Sequence, residues 1–492
     1  MQLNLTSSYG GLNLIDPLDA MNPEYAIQMD NVIPYSTGDQ VRTGYVKRLA
    51  SGASMLIPSP ISTKERLICY DDGELNAYSP ADFETVKATK SGFTSDAWKY
   101  TQFTDGAGQA YTIIANGVDT AQSFANDTFS DVGYTLTGIS YLDSPLSFKN
   151  RLYFVGGDWD IYYSGVQSIS GSLTQFSVGS YFKKGGRILT IENWTQDAGQ
   201  GIDDLFVIFS TEGEVMIFKG TSPEASDWQT LGVFQIPRPV GKWCCENVGA
   251  DIVVITEQGY LPLSAVLSDI RANRTTISAK INPIVKGKDF TNAKWEIHFY
   301  STAGWLIINA PSNVPKYAHE QHVLNIQTNS WCRFLGLDGQ SFCVLNDKLY
   351  FANTSGVYEA NKGTTDNGDW IIYKVQKAYN QFNIPLKKQL MRIVPRYSAY
   401  SATDLYKCIN SDFKEGKNRI IIQRNSNGYQ SYWDTAIWDV NYWSDEYTAY
   451  KTRASVQSKV GSFLSIGFYG RTKTEFEFYS TGLILKAGTG HI

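Results

Sequence analysis

The sequence predicts an all-β protein, an irregular β-propeller of six or seven blades preceded by an extended leader and followed by a β-sandwich-like domain. One strand–turn–strand unit with a glycine in its turn recurs along most of the chain. The 42 Gly, 31 Tyr and 24 Phe favour tight turns and half-buried pleated strands over helices. A length of 492 residues also exceeds one ordinary domain.

The propeller prediction rests on this repeat. Its turn glycines are Gly73, Gly117, Gly157, Gly213, Gly259 and Gly356. Most of them lie 40 to 56 residues apart, and the last gap of 97 residues holds a further pair of strand-like runs at 305–309 and 323–326. Strands that repeat at roughly 40–50 residues are typical of propeller blades. We therefore predict a propeller over residues 49–369, with seven units that give seven blades, or six if one is split.

Residues 1–48 are predicted to form an extended leader that runs over another surface. Turn-forming residues at short intervals exclude a long helix, and the segment is rich in small and apolar residues. Asp16, Pro17 and Arg42 are candidate interface residues within it. The alternative is a simple lead-in to the first blade.

Residues 370–492 have a different character and are predicted to form the β-sandwich-like domain. They contain 17 Lys and Arg against 9 Asp and Glu, a net charge of +8, whereas residues 1–369 carry a net charge of −13. Short strands with alternating polar and apolar residues are typical of a sandwich. Trp433, Trp438 and Trp443 recur every five residues and are candidate interface residues, either as plugs of a domain edge or subunit contact or as a sugar-binding platform.

The sequence offers no recognisable catalytic constellation, so we predict a protein without enzymatic activity, cofactor or metal. Nucleophile elbows, phosphate-binding loops and zinc-binding motifs are all missing. His319 and His322 flank Glu320 in a weak resemblance to a metal site. Some propellers use paired carboxylates at their axis for glycoside hydrolysis, and the turn carboxylates of this chain are the candidates for such a pair. They are Asp71, Asp72, Asp158, Asp160, Glu212 and Glu257.

The composition also bears on location. No apolar run is long enough to span a membrane, and the amino terminus does not have the pattern of an export signal. We therefore expect assembly in a cytoplasm. The acidic residues 1–369 are poorly suited to binding nucleic acid, because affinity for phosphate comes largely from Lys and Arg.

The combined pattern resembles the tail nozzle proteins of short-tailed bacteriophages, also called tail tubular or packaged-DNA stabilisation proteins. The resemblance rests on Gly10 to Leu14, Asp16-Pro17, Ala26 to Asn31 and Arg42 to Gly44 in the leader, on the irregular propeller, on the basic run 387–393 and on the Trp-Asp repeat. It implies that the leader, residues 1–48, contacts an adaptor or another neighbouring protein. It extends over nearly the whole chain through pattern rather than one invariant motif.

This resemblance implies a structural virion protein of the tail, assembled in the host cytoplasm as a homohexamer. The ring would continue the DNA channel below the portal and adaptor proteins of the head–tail connector. It would retain packaged double-stranded DNA without sequence-specific binding, allow its ejection, and offer attachment points for tail fibres or spikes.

Two other functions remain open from the sequence. One is a phage receptor-binding tailspike or fibre protein that binds or cleaves host polysaccharide, which the Trp-rich segment favours. The other is a bacterial carbohydrate-binding or glycosidase propeller.

Overall fold

The computed structural model describes residues 2–61, 64–197, 202–268, 276–291, 294–399, 404–415, 420–422, 448–451 and 454–487. Within them the chain forms two compact units. The propeller unit comprises Lys47–His319 and Asp338–Glu359, and the sandwich unit comprises Met1–Val46, Glu320–Leu337 and Ala360–Ile492. The all-β prediction is confirmed, since the described helices are only short segments.

The propeller unit has seven blades whose inner strands follow one another around a ring. Neighbouring inner strands pack against one another around most of the ring, and the inner strand of blade 7 packs against that of blade 1. Between blades 4 and 5, the inner strand of blade 4 contacts the second strand of blade 5. The strands run from the axis outward as follows: blade 1, Met55–Ser59, Arg66–Asp71, Glu74–Tyr78 and Val86–Ser91; blade 2, Lys99–Thr104, Ala110–Ala115, Gln122–Ala125 and Thr128–Asp131; blade 3, Asp143–Phe148, Arg151–Val155, Asp160–Tyr163 and Thr174–Ser177; blade 4, Ile188–Asp197, Ile202–Ser210, Glu214–Lys219 and Gln229–Gln235; blade 5, Cys245–Val248, Asp251–Thr256 and Gly259–Pro262; blade 6, Glu296–Tyr300 and Trp305–Pro311; blade 7, Ser341–Leu345, Lys348–Asn353, Gly356–Ala360 and Tyr45–Leu49.

The repeated glycines lie where the repeat predicts, in the turns between the second and third strands of six blades. All six have positive φ, for example +84° at Gly73 and +78° at Gly213. A side chain at Gly213 would also bring its Cβ within 2.4 Å of the Ile236 carbonyl oxygen. The sequence period therefore reflects a turn geometry that glycine adopts at low cost.

The propeller unit also contains short elements outside the blade sheets. A two-stranded parallel sheet joins Gly133–Thr135 to Ser170–Ser172. The helical segments are Gly179–Tyr181, Ser264–Ser268, Ala279–Ile281, Asn282–Lys286 and Ser301–Ala303.

Aromatic and aliphatic side chains fill the spaces between blades. Blades 3 and 4 share a cluster in which Phe148, Tyr153 and Phe206 are almost completely buried. The rings of Tyr153 and Phe206 lie 4.9 Å apart, centre to centre. This packing of strand faces explains why the aromatic content predicts the fold class.

The sandwich unit consists of two sheets. One contains Gln2–Thr6, Val32–Pro34, Asp39–Val41, Lys388–Ala399, Thr448–Lys451, Ala454–Gly461 and Phe476–Ala487; the other contains Gly11–Leu12, Tyr25–Asp30, His319–Asn325, Ser330–Phe334, Ile371–Lys377, Asp404–Ser411, Ile420–Ile422 and Leu464–Thr472. Aromatic rings meet between them: Tyr373 and Phe468 of the second sheet stack on Phe476 and Phe478 of the first, at 5.2 and 5.3 Å.

The unit boundaries differ from the predicted domains 1–48, 49–369 and 370–492. The leader is not a separate extended segment, because Gln2–Thr6 pairs with Phe476–Ala487 and Tyr25–Asp30 pairs with Ile371–Lys377. These pairings satisfy backbone groups that an isolated extended segment would leave to water. Whether the leader also contacts another protein stays a prediction.

Residues 320–337 lie within the predicted propeller range 49–369, and by their contacts they group with the sandwich unit. Their buried polar groups bond to the leader: Asn325 Nδ2 donates to the Pro34 carbonyl oxygen at 2.9 Å, and Arg333 contacts Asp30 at 2.7 Å. The apolar pattern at 323–326 is that of an ordinary blade strand, so periodicity alone could not reveal this assignment.

Asn31 joins three stretches of the sandwich unit. Its Nδ2 donates to the carbonyl oxygens of Leu335 and Ile372 at 2.9 and 2.8 Å, while its Oδ1 accepts from Leu335 N and Arg42 Nε. Asn31 also adopts a positive φ of 56°, which Asn tolerates better than most residues.

We predict that Asn31→Ala lowers the stability of the sandwich unit by about 2–4 kcal/mol, because it leaves several buried backbone and guanidinium groups without partners. Chemical denaturation of the full chain measures this loss. Asn22→Ala is the matched control, since Asn22 is exposed and bonds only within its own turn, to Glu24 N. Equal stability of the two variants would contradict the prediction.

Candidate functional site

The candidate interface residues of the leader have local roles in the structure. Asn13 forms a turn in which its Oδ1 accepts from the backbone N–H of Asp16 and its Nδ2 donates to Asp16 Oδ2 at 2.7 Å. The Pro17 carbonyl oxygen accepts from Ala20 N. The side chains of Asp16 and Pro17 therefore lie in a compact turn sequence near the surface. Trp433, Trp438 and Trp443 fall outside the described residues.

Arg42 is buried within the sandwich unit. Its guanidinium makes two bonds of 2.7 Å to Asp366, and it donates to Asn31 Oδ1 and to the Leu335 carbonyl oxygen. Only 1% of its side chain is exposed. In the single chain this arginine connects strands, and its guanidinium is not at the surface as the candidate interface role requires. The leader motif singles out Arg42 in the sequence, but it does not indicate that the side chain is buried.

The axis of the propeller collects charged residues that periodicity did not single out. Lys99, Glu192, Glu246, Glu296 and His298 all lie on inner strands, which belong to blades 2, 4, 5 and 6. Most of them are half-buried, whereas Glu296 is fully buried. The signal for this cluster in the sequence is the presence of charged residues within strands rather than in the turns between them.

One end of this axis is closed by the segment that leads into blade 5. Trp243 Nε1 donates to the Trp98 carbonyl oxygen at the start of blade 2, and its ring packs against the hydrophobic cluster of blades 1 and 2. Lys242 Nζ reaches Asp143 of blade 3 at 2.8 Å. Lys294, before blade 6, lies 4.7 Å above the Trp243 ring. Because blade 5 lies across the ring from blades 1 and 2, these contacts carry the segment over the axis.

The axial charges largely neutralise one another. Lys99 Nζ bonds to Glu192 at 2.6 Å and to Thr190 Oγ1 at 2.8 Å. Glu296 contacts Lys294 at 2.7 Å and His298 at 3.4 Å, and it accepts from Phe342 N at 2.8 Å. The bonds of Lys99 and the bond from Phe342 N join inner strands of different blades, which makes them suited to holding the ring together, whereas Lys294 and His298 are bonded to Glu296 at the start of blade 6.

The two glutamates Glu246 and Glu296 differ in proton affinity. Burial raises the pKa of Glu246 to about 7, an effect that Glu192 strengthens and His298 opposes. Burial would also raise the pKa of Glu296, but Lys294 and His298 outweigh it and lower the value to about 2. Two carboxyl groups with separated pKa values form an acid and base pair in some enzymes. Here the ionised member is fully buried and bonded to the backbone, so its position suits a structural role.

The turn carboxylates are distributed over several blades, and two of them meet. Glu212 and Glu257 line a polar surface cleft of about 560 Å³ together with Lys184, Gln235, Arg238 and Gln258. Arg238 pairs with Glu212 at 2.6 Å. Asp71 and Asp72 lie in a turn of blade 1, and Asp158 and Asp160 in or beside a turn of blade 3.

The histidine pair does not converge on a common point. His322 is fully buried and contacts Glu320 at 3.1 Å, whereas His319 bonds to Asp338 through its backbone N–H. Among the described residues, no group of three or more His, Cys, Asp or Glu side chains is arranged to hold a metal ion. No helix in the same part of the chain is long and apolar enough to cross a membrane.

No family model and no curated protein matches this chain. Among solved structures, BBS1N in complex with ARL6DN, from crystals soaked with mercury, is similar at 9% identity and a TM-score of 0.41, over 65% of this chain and 96% of that one. The same complex soaked with lead gives 10% identity and a TM-score of 0.40, over 66% and 99%. At such low sequence identity, the similarity concerns only the fold and says nothing about function.

We predict opposite pH effects for the two axial glutamates. The raised pKa of Glu246 means that its contribution to stability is fully present below about pH 4.5 and is lost as the pH rises through 7. Glu246→Gln should therefore be more stable than the native chain at pH 8, by about 1–2 kcal/mol after allowance for water at this half-buried site. The two proteins should be similar at pH 5.

Glu296→Gln is the matched comparison. In the native chain the lowered pKa of Glu296 means that the ionised carboxylate stabilises the fold above about pH 4.5, and this contribution is lost as the pH falls towards 2. The substitution should cost about 2–4 kcal/mol at pH 7, because Lys294 loses its buried partner. Urea denaturation of both variants at pH 5 and pH 8 checks the pair, and a destabilised Glu246→Gln at pH 8 would contradict it.

Proposed function

We propose that this chain is a structural subunit of the tail nozzle of a short-tailed bacteriophage. Six copies would form a ring that continues the DNA channel below the portal and adaptor proteins. The ring would retain the packaged double-stranded DNA and then let it pass during ejection. The protein would be a virion component without enzymatic activity, assembled in the host cytoplasm.

The observation that carries this proposal is the closed axis of the propeller. Trp243 and Lys242 cross one end of it, and the Lys99–Glu192 and Lys294–Glu296 pairs occupy its walls. A duplex cannot thread such an axis, so the DNA path would lie between copies, along the axis of the ring. Each propeller then acts as a rigid wall block with its outer surfaces free for assembly.

The charge distribution supports the same arrangement. Residues 1–369 carry a net charge of −13. An acidic wall repels phosphate and lets DNA slide past without tight binding. The basic residues 370–492 would then meet acidic neighbours, and fibres or spikes would attach to outer surfaces.

Locating this chain in intact particles tests the proposal. We expect six copies on the tail axis directly below the portal and adaptor, in a cryo-electron microscopy reconstruction. Particles that lack the chain should package DNA and then lose it, because nothing below the adaptor would close the channel. Three copies at the periphery would instead favour a receptor-binding tailspike. A channel lined mainly by Lys and Arg of residues 370–492 would contradict the acidic wall.

Carbohydrate binding is the second candidate function, and the polar cleft of blades 4 and 5 favours it. Glu212, Glu257 and Arg238 offer the paired hydrogen-bonding groups that sugar hydroxyls need. A glycan array and a hydrolysis assay with the native chain test this function, with Glu257→Gln as the comparison. We expect no glycan signal. Binding or hydrolysis that Glu257→Gln abolishes would favour the carbohydrate function over the nozzle.

A further inference from the structure

One face of the sandwich unit combines positive charge with exposed apolar side chains. The central strands Lys388–Ala399 and Phe476–Ala487 pair so that Gln389 lies between Val460 and Lys486. Arg392 and Arg396 follow along the same strand and are exposed. Met391 is 42% exposed and Val460 50%. We call this set the basic face: Met391, Arg392, Arg396, Val460 and Lys486.

Its cations have no counterions in the part of the chain that the structure describes. No described carboxylate lies within 4 Å of Arg392, Arg396 or Lys486, in contrast to Arg42, Arg48, Arg66 and Arg333, which all hold ion pairs. Water solvates these cations, but the apolar side chains among them gain free energy when another surface covers them, which a phosphate backbone does poorly. Another protein surface with acidic and apolar groups would satisfy both.

The propeller unit presents a surface of that kind on blades 1 and 2. Asp71, Asp72, Glu74 and Asp96 are exposed there, and none of them forms an ion pair with another described residue. The backbone brings these segments together, because the N–H groups of Gly92 and Phe93, just before Asp96, both donate to the carbonyl oxygen of Gly73 in the blade 1 turn. Val118 beside them is 46% exposed. We call Asp71, Asp72, Glu74, Asp96 and Val118 the acidic rim.

We infer that the basic face of one copy binds the acidic rim of a second copy. Both surfaces are exposed in the single chain, and they are complementary in charge and each carries an apolar element. A contact between two different surfaces of identical chains is heterologous, and such contacts close into rings when the rotation permits. The inference rests on the proposed function for the ring itself, and it identifies the surfaces that build it.

Charge exchange tests this contact in the full-length protein. Arg392→Glu with Arg396→Glu reverses the basic face, and Asp71→Lys with Asp72→Lys reverses the acidic rim. Each variant alone should weaken self-association by about tenfold or more in sedimentation equilibrium, since like charges would then oppose each other. An equal mixture of the two should restore association, because the reversed face complements the reversed rim and the native face complements the native rim.

Lys316→Glu with Lys348→Glu is the control, because both lysines are exposed and lie outside the two surfaces. It should associate like the native chain, and circular dichroism should show all variants folded. The inference is overturned if the native chain stays monomeric at the highest attainable concentration, if single variants associate normally, or if the mixture does not recover. It is also overturned if duplex DNA binds the native chain and the reversed face abolishes that binding without changing self-association.

The outcome is independent of the particle experiment. Six axial copies with unaffected charge variants would leave the nozzle in place and move the contact elsewhere. Restored association together with peripheral copies would keep the contact and remove the nozzle.

Discussion

The propeller depends on closure of its ring, and two distant segments supply it. Tyr45–Leu49 completes blade 7 as its outer strand, beside Gly356–Ala360. Arg48 Nε bonds to Glu359 Oε2 at 2.7 Å, and the glutamate is almost fully buried. A Cβ at Gly356 would come within 2.6 Å of the Leu49 carbonyl oxygen, so the close approach needs glycine. Without this closure, blades 1 and 7 would each expose an apolar face.

Closure of the ring also determines which side chains meet at the propeller axis. Seven inner strands meet there, and their charged side chains must find partners because water enters only partly. The Lys99–Glu192 pair meets that need across blade boundaries, and the Lys294–Glu296 pair meets it at the start of blade 6. Trp243 covers one end. A propeller arranged in this way is a rigid block, and the surfaces that remain for function are its outer rims, its clefts and the faces of the sandwich unit.

In the sandwich unit, too, segments that are distant in the sequence complete the fold. Its sheets take strands from both ends of the sequence and from residues 320–337, and Asn31 and Arg42 bond these stretches together. Buried polar groups are costly without partners, so such a network allows few alternative pairings. The leader therefore contributes to a folded unit, and any role in binding a neighbour would be carried by the sides of its strands and turns that remain exposed.

The sequence by itself determined the fold class and the blade repeat, because a turn that needs positive φ selects glycine at each occurrence, as at Gly73 and Gly213. A local requirement of this kind can be recognised from the sequence alone. Only the tertiary structure decided that Arg42 is buried, that residues 320–337 group with the sandwich unit, and that Glu246 and Glu296 lie on neighbouring inner strands. Those facts depend on partners tens to hundreds of residues away, and strand periodicity carries no information about which distant strand becomes a neighbour.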